Sequence, residues 1–231
     1  MGKESVVIIE GLSKEYKGDV IALEDVSLSV PKNSIYGLLG SNGAGKSTLI
    51  HILIGLLKYN KGNVFILEEN MKDPSSSLKR RVSIVPQKLS LYLDLNIYDN
   101  LYFFGKTYGI KRKELKKRIK ELSDIFKLGN LRRKIKHLSG GYQRRVSIAV
   151  ALLGDPELII LDEALVGIDI ETKNIIVDLL LKLKKDKTII ITTHSIKEAE
   201  KLCDRICFLH RGKKLIEGKT RDIIKEYSRG E

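Results

Sequence analysis

The chain has 231 residues, of which 42% are hydrophobic, and a formal net charge of +13 at pH 7. This length is enough for one sizeable core, or for a core with a small appended subdomain. No apolar run approaches the roughly 18 residues of a membrane-spanning helix and no secretory signal opens the chain, so we expect a cytoplasmic protein. Cys203 and Cys207 are too few for a disulfide framework or a four-ligand zinc site, and we predict that they are small core residues.

The positive charge leaves two interpretations open. It suggests a polyanionic neighbour, such as nucleic acid or an anionic membrane surface. It is equally compatible with a lysine-rich, solvated surface that has no partner.

The first 39 residues predict strands. Residues 6–12 and 21–30 are expected to form an N-terminal sheet, since apolar residues alternate along the second run, and residues 35–39 form a short buried strand. Tyr16 lies between the first two strands. An aromatic residue just upstream of a phosphate loop could stack on a nucleotide base, although a lone tyrosine there is more often a surface residue.

A phosphate-binding template follows, of the form glycine, four residues, then Gly-Lys-Ser/Thr. Its residues are Gly40, Ser41, Asn42, Gly43, Ala44, Gly45, Lys46, Ser47 and Thr48. The glycines would let backbone amides converge on phosphate oxygens, Lys46 would add a charge for the β- and γ-phosphates, and Ser47 would offer a hydroxyl to magnesium. A helix that starts at Lys46 and continues to residue 57 would direct the positive end of its dipole at the same anion. A chance glycine-rich turn is disfavoured by the flanking strand and helix.

The middle of the chain changes from strands to helices. A strand at 62–67, a short helix at 73–81 and a strand at 82–85 are predicted, the last ending at Pro86 and Gln87. Helices follow at 97–108 and 112–126, and the second has apolar residues on one side and lysines and arginines on the other. We expect an inserted helical subdomain with a basic outer face.

The last third returns to an alternation of strands and helices. Residues 138–145 open a helix that runs to about 153; on their own, a serine and two glycines there would be a loop and a helix cap. Residues 158–163 are an apolar run ending in Asp162 and Glu163, as expected for a central parallel strand whose tip meets a ligand. A helix at 169–184, a strand at 188–193 with His194 at its tip, a helix at 195–202, a hairpin at 205–217 and a helix from 220 are predicted.

Taken together, these features resemble the ATP-binding cassette family of ATPases over nearly the whole chain. Gln87 lies where that family has its Q-loop, residues 138–145 are similar to its signature sequence, and residues 158–163 to its Walker B strand. Residues 167–169 resemble the D-loop, His194 the switch histidine and Tyr16 the A-loop aromatic. The departures are Ala164-Leu165 where Pro-Thr is frequent, Ile168 for leucine and Tyr142 for glutamine.

The resemblance implies an α/β fold. It consists of a P-loop NTPase core with a mixed, largely parallel sheet flanked by helices, an N-terminal antiparallel β subdomain and an inserted α-helical subdomain. Residues 1–231 would form a single ATPase domain, with the helical subdomain at about 88–153 between the Q-loop and Walker B strand.

The resemblance also implies a role for each site residue. ATP would be held by the loop from Gly40 to Thr48 and by Tyr16, with magnesium held by Ser47, Asp162 and Gln87. Glu163 would be the general base, with Lys46, Gln87 and His194 completing the catalytic set. Ser139, Gly140 and Gly141 would contact the ATP of a partner subunit in a head-to-tail dimer, and Asp169 would lie at that interface.

The leading hypothesis is therefore an ATP-hydrolysing subunit, paired with a second copy or a homologue, that drives a separately encoded membrane permease of an exporter. It would be peripheral on the inner face of the cell membrane. A soluble ATPase of the same family that acts on nucleic acid or the ribosome is the alternative suggested by the charge, but such proteins generally carry two cassettes or a long coiled coil, and this chain has neither. A degenerate regulatory subunit is disfavoured because Lys46, Glu163 and His194 are all present.

Overall fold

The structure, a computed structural model, describes residues 4–227. The two ends of the single domain predicted over 1–231, residues 1–3 and 228–231, lie outside the described residues. The strands are β1 (Ser5–Tyr16), β2 (Val20–Pro31), β3 (Ile35–Leu39), β4 (Lys61–Ile66), β5 (Glu69–Asn70), β6 (Val82–Val85), β7 (Leu158–Leu161), β8 (Thr188–Thr193), β9 (Arg205–His210) and β10 (Lys213–Lys219). The helices are α1 (Lys46–Leu53), α2 (Leu78–Arg81), α3 (Ile97–Thr107), α4 (Arg112–Ile125), α5 (Gly140–Ala151), α6 (Ile170–Leu183), α7 (Ile196–Leu202) and α8 (Thr220–Tyr227), with a 3₁₀ turn at Ile135–His137.

The strands form two sheets. An antiparallel sheet has the order β2-β1-β4-β5, and a six-stranded sheet has the order β10-β9-β3-β8-β7-β6. In the larger sheet only the edge strand β10 runs antiparallel to its neighbour. The predicted α/β fold class is confirmed. Because the carboxyl ends of parallel strands share one edge of a sheet, the loops after β3, β6, β7 and β8 meet there.

Each face of the parallel sheet packs on its own hydrophobic core. Along β3, Tyr36 and Leu38 pack with α1 and the antiparallel sheet, whereas Ile35 and Leu39 pack with the helices from α3 to α7. Successive side chains of a strand point to opposite faces, so a strand buried on both faces is apolar at every position. The sheet edge that carries the loops is therefore held between two packed layers.

The first hairpin is longer than the sequence pattern predicts. β1 continues to Tyr16 and pairs with Val20, and Gly18 and Asp19 close the turn with positive φ of 86° and 58°. The polar residues after Leu12 hid this extension, because backbone pairing to β2 sustains the strand where apolar alternation stops. The consequence is that Tyr16 lies at the end of a strand and not in a free loop.

Two predicted helices are shorter than expected. The helix predicted at 73–81 spans only Leu78–Arg81, because the Ser75 hydroxyl accepts from the amide of Leu78 and the Ser75 amide donates to Glu69, which makes the preceding residues a turn. The helix predicted to end at residue 57 ends at Leu53, since Gly55 has a φ of 73°, the left-handed conformation common just past a helix end. Cys203 and Cys207 are both buried, as predicted.

Candidate active site

The phosphate loop connects β3 to α1 and includes two glycines that have no room for a side chain. A Cβ on Gly45, whose φ is 103°, would lie 2.6 Å from the carbonyl oxygen of Ala22. A Cβ on Gly40 would lie 2.4 Å from the carbonyl oxygen of Leu209. Glycine therefore lets the loop curl tightly into the N-terminus of α1, where free backbone amides and the helix dipole favour an anion.

Lys46 is the first residue of α1 and is only 6% exposed. Its Nζ donates to the carbonyl oxygens of Gly40, at 2.7 Å, and Ser41, at 3.0 Å. Oε1 of Glu163 lies 3.8 Å from the same nitrogen. A buried ammonium group must be compensated by oxygen atoms, and phosphate oxygens can replace some of these partners without leaving the charge unpaired.

A cavity of about 460 Å³ opens beside the loop, a size typical of small-ligand sites. Its lining residues are Tyr16, Val20, Ile21, Ala22, Asn42, Gly43, Ala44, Gly45, Lys46, Ser47, Thr48, Gln87 and Glu163. The Tyr16 hydroxyl lies 3.3 Å from Oγ1 of Thr48. Val20 and Ile21 are both well exposed. The cavity thus combines an aromatic and apolar wall with a polar loop, which suits a nucleotide.

Asp162 and Glu163 follow β7 and are joined through Thr192 of β8. The Thr192 hydroxyl donates to Oδ1 of Asp162 at 2.7 Å and accepts from the backbone amide of Glu163 at 2.8 Å. Glu163 has a φ of 45°, a left-handed conformation that is uncommon for a residue with a side chain. Its Oε2 accepts a hydrogen bond from Nε2 of Gln87 at 2.8 Å. The carboxylate is thus held between Gln87 and Lys46.

Three of the predicted site residues supply oxygen donors suited to a hard cation. Ser47, Asp162 and Gln87 offer hydroxyl, carboxylate and amide oxygens, which Mg²⁺ uses together with substrate phosphates and water. Over residues 4–227, no three His, Cys, Asp or Glu side chains form a cluster that could hold a metal ion by themselves. This donor set fits magnesium that is bound together with the nucleotide's phosphates.

His194 follows β8 and is exposed at the same edge of the sheet. The residues on either side of it are tightly tied. The Thr193 hydroxyl donates to Oε2 of Glu198 at 2.7 Å and accepts from the Ser195 amide, and the other carboxylate oxygen of Glu198 pairs with Lys173 of α6. The position of His194 is thus coupled to the helix that follows Asp169.

Ser139, Gly140 and Gly141, here called the Ser139 corner, lie at the N-terminus of α5. Ser139 caps α5 by accepting from the Tyr142 amide at 3.3 Å, and both Ser139 and Gly140 are exposed. Gly141 is buried, and a Cβ there would lie 2.7 Å from Thr172 of α6. Asp169 caps α6, and its amide hydrogen bond from Thr172 holds the Asp169 pKa below its usual range. None of these corner residues lines the cavity.

Tyr142, where the family frequently has glutamine, has a structural explanation. Its hydroxyl donates to the carbonyl oxygen of Leu128, and its ring packs against the guanidinium groups of Arg145, at 4.4 Å, and Arg133, at 5.6 Å. The side chain therefore ties α5 to the segment after α4. This departure anchors the helical part of the chain and removes no donor from Ser139.

Sequence reasoning missed two polar residues that organise the site. Thr192 joins the two acids, and Arg144 of α5 is 6% exposed and donates to the carbonyl oxygens of Pro86 and Gln87. Burial lowers the pKa of Arg144, while Asp162 acts in the opposite direction. The only available signal for Arg144 was its place as the first of two adjacent arginines, three residues after the signature glycines.

An exposed aromatic cluster lies outside the cavity. The rings of Tyr92 and Phe103 meet edge to face with centroids 4.9 Å apart, and Phe104 packs on Phe103 at 5.4 Å. Tyr92 and Phe103 are exposed, as is Leu93. Apolar patches of this kind commonly mark a contact with another molecule.

None of the helices within residues 4–227 is both long and apolar enough to cross a bilayer. The family model described as ABC transporter matches residues 23–166. The chain is 35% identical over 222 residues to the Nod factor export ATP-binding protein I of Cupriavidus pinatubonensis, covering 95% of this chain and 68% of that protein. It is 38% identical over 216 residues to the linearmycin resistance ATP-binding protein LnrL of Bacillus subtilis, covering 93% and 69%.

Solved structures give the same result. The cbiO1 subunit of a Clostridium perfringens ABC transporter complex superposes with a TM-score of 0.89 at 26% identity, over 97% of this chain and 92% of that one. An ATP-binding cassette in a dimeric post-hydrolysis state with ADP and Pi superposes with a TM-score of 0.83 at 30% identity, over 93% and 99%. The similarity therefore extends well beyond the segment that carries the phosphate loop.

Proposed function

Because the chain belongs to the ABC transporter family, as an ATP-binding and ATP-hydrolysing subunit of exporter type, we propose that two such subunits close head to tail around ATP and drive a separate membrane permease. The second subunit is another copy of this chain or a homologue. One observation carries the proposal: Ser139 and Gly140 are exposed, and within one chain they are not among the residues that line the nucleotide cavity. A complete site would therefore combine the cavity of one subunit, its nucleotide half, with Ser139 and Gly140 of the other subunit, its corner half.

We propose the following role for each site residue. The loop amides and Lys46 bind the β- and γ-phosphates, and Tyr16 packs on the base. Glu163 accepts the proton of the attacking water, and Gln87 orients its carboxylate. His194 contacts the γ-phosphate. Ser47, Asp162 and Gln87 would hold Mg²⁺, which would offset the phosphate charge.

The partner supplies the remaining contacts. Ser139, Gly140 and Gly141 present a hydroxyl and the amides at the N-terminus of α5 to the partner's ATP, which is again an anion at a helix end. Asp169 lies at the interface beside them. Residues 1–231 act as one ATPase domain, with residues 88–153 as its inserted helical subdomain.

The cluster of Tyr92, Leu93 and Phe103 is where the permease docks. Its exposed rings can receive a helical segment of a membrane protein. Docking would place the subunit on the inner face of the cell membrane. The Nod factor and linearmycin relatives are named for export and resistance, which supports the same direction of transport.

The charge distribution favours a second candidate, an ATPase that acts on nucleic acid. Residues 88–153 contain 16 Lys or Arg and 5 Asp or Glu, a net charge of +11 out of the +13 of the chain. The transporter relatives and structural neighbours argue against this candidate. Tight, salt-dependent RNA or DNA binding together with no co-purifying permease would favour it.

A mixing experiment tests the head-to-tail arrangement. Lys46→Ala disables the nucleotide half of a subunit and Gly140→Asp disables the corner half. A Cβ on Gly140 meets no atom within 4 Å, so the substitution fits the free subunit. Each variant alone is expected to be inactive. In a 1:1 mixture half the dimers are mixed and one of their two sites is intact, so about a quarter of the wild-type turnover should return.

The matched control mixes two variants of the nucleotide half, Lys46→Ala and Glu163→Gln. No intact site can form in any dimer of this mixture. An active mixture with Gly140→Asp and an inactive control support the proposal. If the mixture with Gly140→Asp stays as inactive as its components, the two halves act within one chain and the arrangement is wrong.

A further inference from the structure

Arg144 connects helix α5, which begins at the Ser139 corner, to the loop that carries Gln87. It lies on α5, five residues after Ser139, and its side chain is almost fully buried. One guanidinium nitrogen donates to the carbonyl oxygen of Pro86 at 2.7 Å and another to that of Gln87 at 2.8 Å. Two successive carbonyls of the loop after β6 are thus bound to one side chain of the helix.

The loop held by Arg144 is in turn hydrogen-bonded to Glu163, the proposed general base. The side chain of Gln87 donates to Oε2 of Glu163 at 2.8 Å, and the backbone of Glu163 is bound by Thr192. The loop that carries Gln87 lies between Arg144 on one side and Glu163 on the other. A shift of α5 relative to the sheet would pull on these carbonyls and therefore change where the amide of Gln87 lies.

Arginine suits this position better than lysine does. A planar guanidinium group offers five donors in a fixed fork and can hold two carbonyls at once, whereas a lysine ammonium is a flexible point charge. Asp162 is close enough to favour the charged form of the buried arginine. A movement of α5 would therefore be passed on to the Gln87 loop, because the Arg144 backbone is part of the helix and its guanidinium group is hydrogen-bonded to the loop.

We propose that Arg144 is a positioning residue, which holds the loop of Gln87 so that contact of the Ser139 corner with the partner's nucleotide sets the orientation of Gln87 against Glu163. This inference rests on the roles proposed above for Gln87 and Glu163. Arg144 is not among the residues that line the nucleotide cavity. It acts on catalysis through the backbone carbonyls of residues 86 and 87.

The test measures kcat and ATP affinity separately. Arg144→Gln is expected to lower kcat by about 10- to 100-fold, as expected for displacement of a catalytic group by a fraction of an ångström to 1 Å. The Kd of the monomer for ATP should stay within about twofold, because Lys46 and the loop amides are untouched. Arg144→Lys, which keeps the charge beside Asp162, should be intermediate in kcat and near wild type in melting temperature.

The matched control is Arg118→Gln. Arg118 of α4 also donates from its guanidinium group to a backbone carbonyl, that of Leu152 at 3.0 Å, and pairs with Asp155, and neither of these partners belongs to the Gln87 loop. It is expected to reduce thermal stability and leave kcat within about twofold. A purely structural role for Arg144 predicts that both variants change stability and neither changes kcat.

A double-mutant cycle with Gln87→Ala decides how Arg144 acts. If it acts through Gln87, the double variant should turn over within about twofold of Gln87→Ala alone. Fully additive losses, or wild-type kcat in both Arg144 variants, would overturn the positioning role while leaving the role of Gln87 intact. Wild-type turnover in Gln87→Ala would remove Gln87 from the site, and the inference with it.

Discussion

Replacing Glu163 with glutamine separates ATP binding from hydrolysis. The substitution changes one carboxylate oxygen to an amide nitrogen and keeps the size of the side chain. The remaining oxygen can still accept from Nε2 of Gln87, as Oε2 does at 2.8 Å. Lys46 loses an ion-pair partner at 3.8 Å but keeps its hydrogen bonds to two carbonyl oxygens. The phosphate loop should therefore keep its shape.

The magnitude of the effect follows from the two roles of the carboxylate. Loss of a general base costs about 10²- to 10⁴-fold in kcat, which is roughly 2.7–5.4 kcal/mol at 1.36 kcal/mol for each factor of ten. The loss of the ion pair is offset in part, because Lys46 keeps its hydrogen bonds to the carbonyl oxygens of Gly40 and Ser41. ATP affinity should be unchanged or tighter, because a negative group no longer faces the γ-phosphate.

The assay combines phosphate release with nucleotide binding and light scattering after size exclusion. We expect slow release, retained ATP binding and an ATP-dependent dimer. The matched control is Glu157→Gln. Glu157 directly precedes β7, at the opposite end of the strand from Glu163, and its carboxylate pairs with Arg81 at 2.6 Å and does not line the cavity. It should keep wild-type turnover. Undiminished hydrolysis in Glu163→Gln, or loss of ATP binding, would refute the reasoning.

Three further predictions concern the corner, the buried hydroxyl and the thiols. Ser139→Ala and Gly141→Asp should impair turnover and leave nucleotide binding by the monomer nearly intact; collapse of that binding, measured by calorimetry, would contradict the role across the interface. Gly141→Asp should also lower the melting temperature, because its Cβ would lie 2.7 Å from Thr172. Thr192→Val should reduce the free energy of unfolding by about 1–3 kcal/mol, since it leaves the Glu163 amide and an Asp162 oxygen without a partner. Denaturant unfolding measures this loss, and an unchanged unfolding midpoint would refute the prediction. The same substitution should slow hydrolysis. Burial raises the pKa of the Cys203 and Cys207 thiols to about 12, so both should resist alkylation at pH 8 in the folded protein; rapid labelling by iodoacetamide, detected by mass spectrometry, would contradict this. The same shift predicts that the stability contributed by the buried thiols is fully present below the pKa of an unfolded thiol and falls as the pH rises from there towards 12.

The phosphate loop and the strand that ends in two acids were predictable because their residue types answer local demands. A loop that brings backbone amides to one point needs glycines, and the positive φ of Gly45 and the close approach of Gly40 to Leu209 show why. An apolar run such as β7 fits a strand buried on both faces. The fold class and the ATPase function are confirmed, whereas the individual roles of the site residues stay predictions.

Helix and hairpin ends were less predictable, because they depend on competition between partners. Asp73 and Pro74 have a typical helix-start pattern, yet Ser75 and Glu69 satisfy the amides that a helix would have used. Tyr16 looked like a loop residue until pairing with Val20 carried β1 to the hairpin turn. In both cases a contact with a neighbouring segment outweighed the local pattern.

The sequence by itself determined the family, the fold class and the order of the motifs, because these reside in short segments whose backbone conformation needs particular residues. Only the tertiary structure decided which polar side chains serve those motifs. Thr192 looks like any buried strand residue, and it meets Asp162 because β7 and β8 pair with Leu161 opposite Ile191. Arg144 looks like any helix arginine until α5 packs beside the loop of Gln87, 57 residues away in the chain. Such contacts depend on strand register and helix packing, which no local pattern encodes.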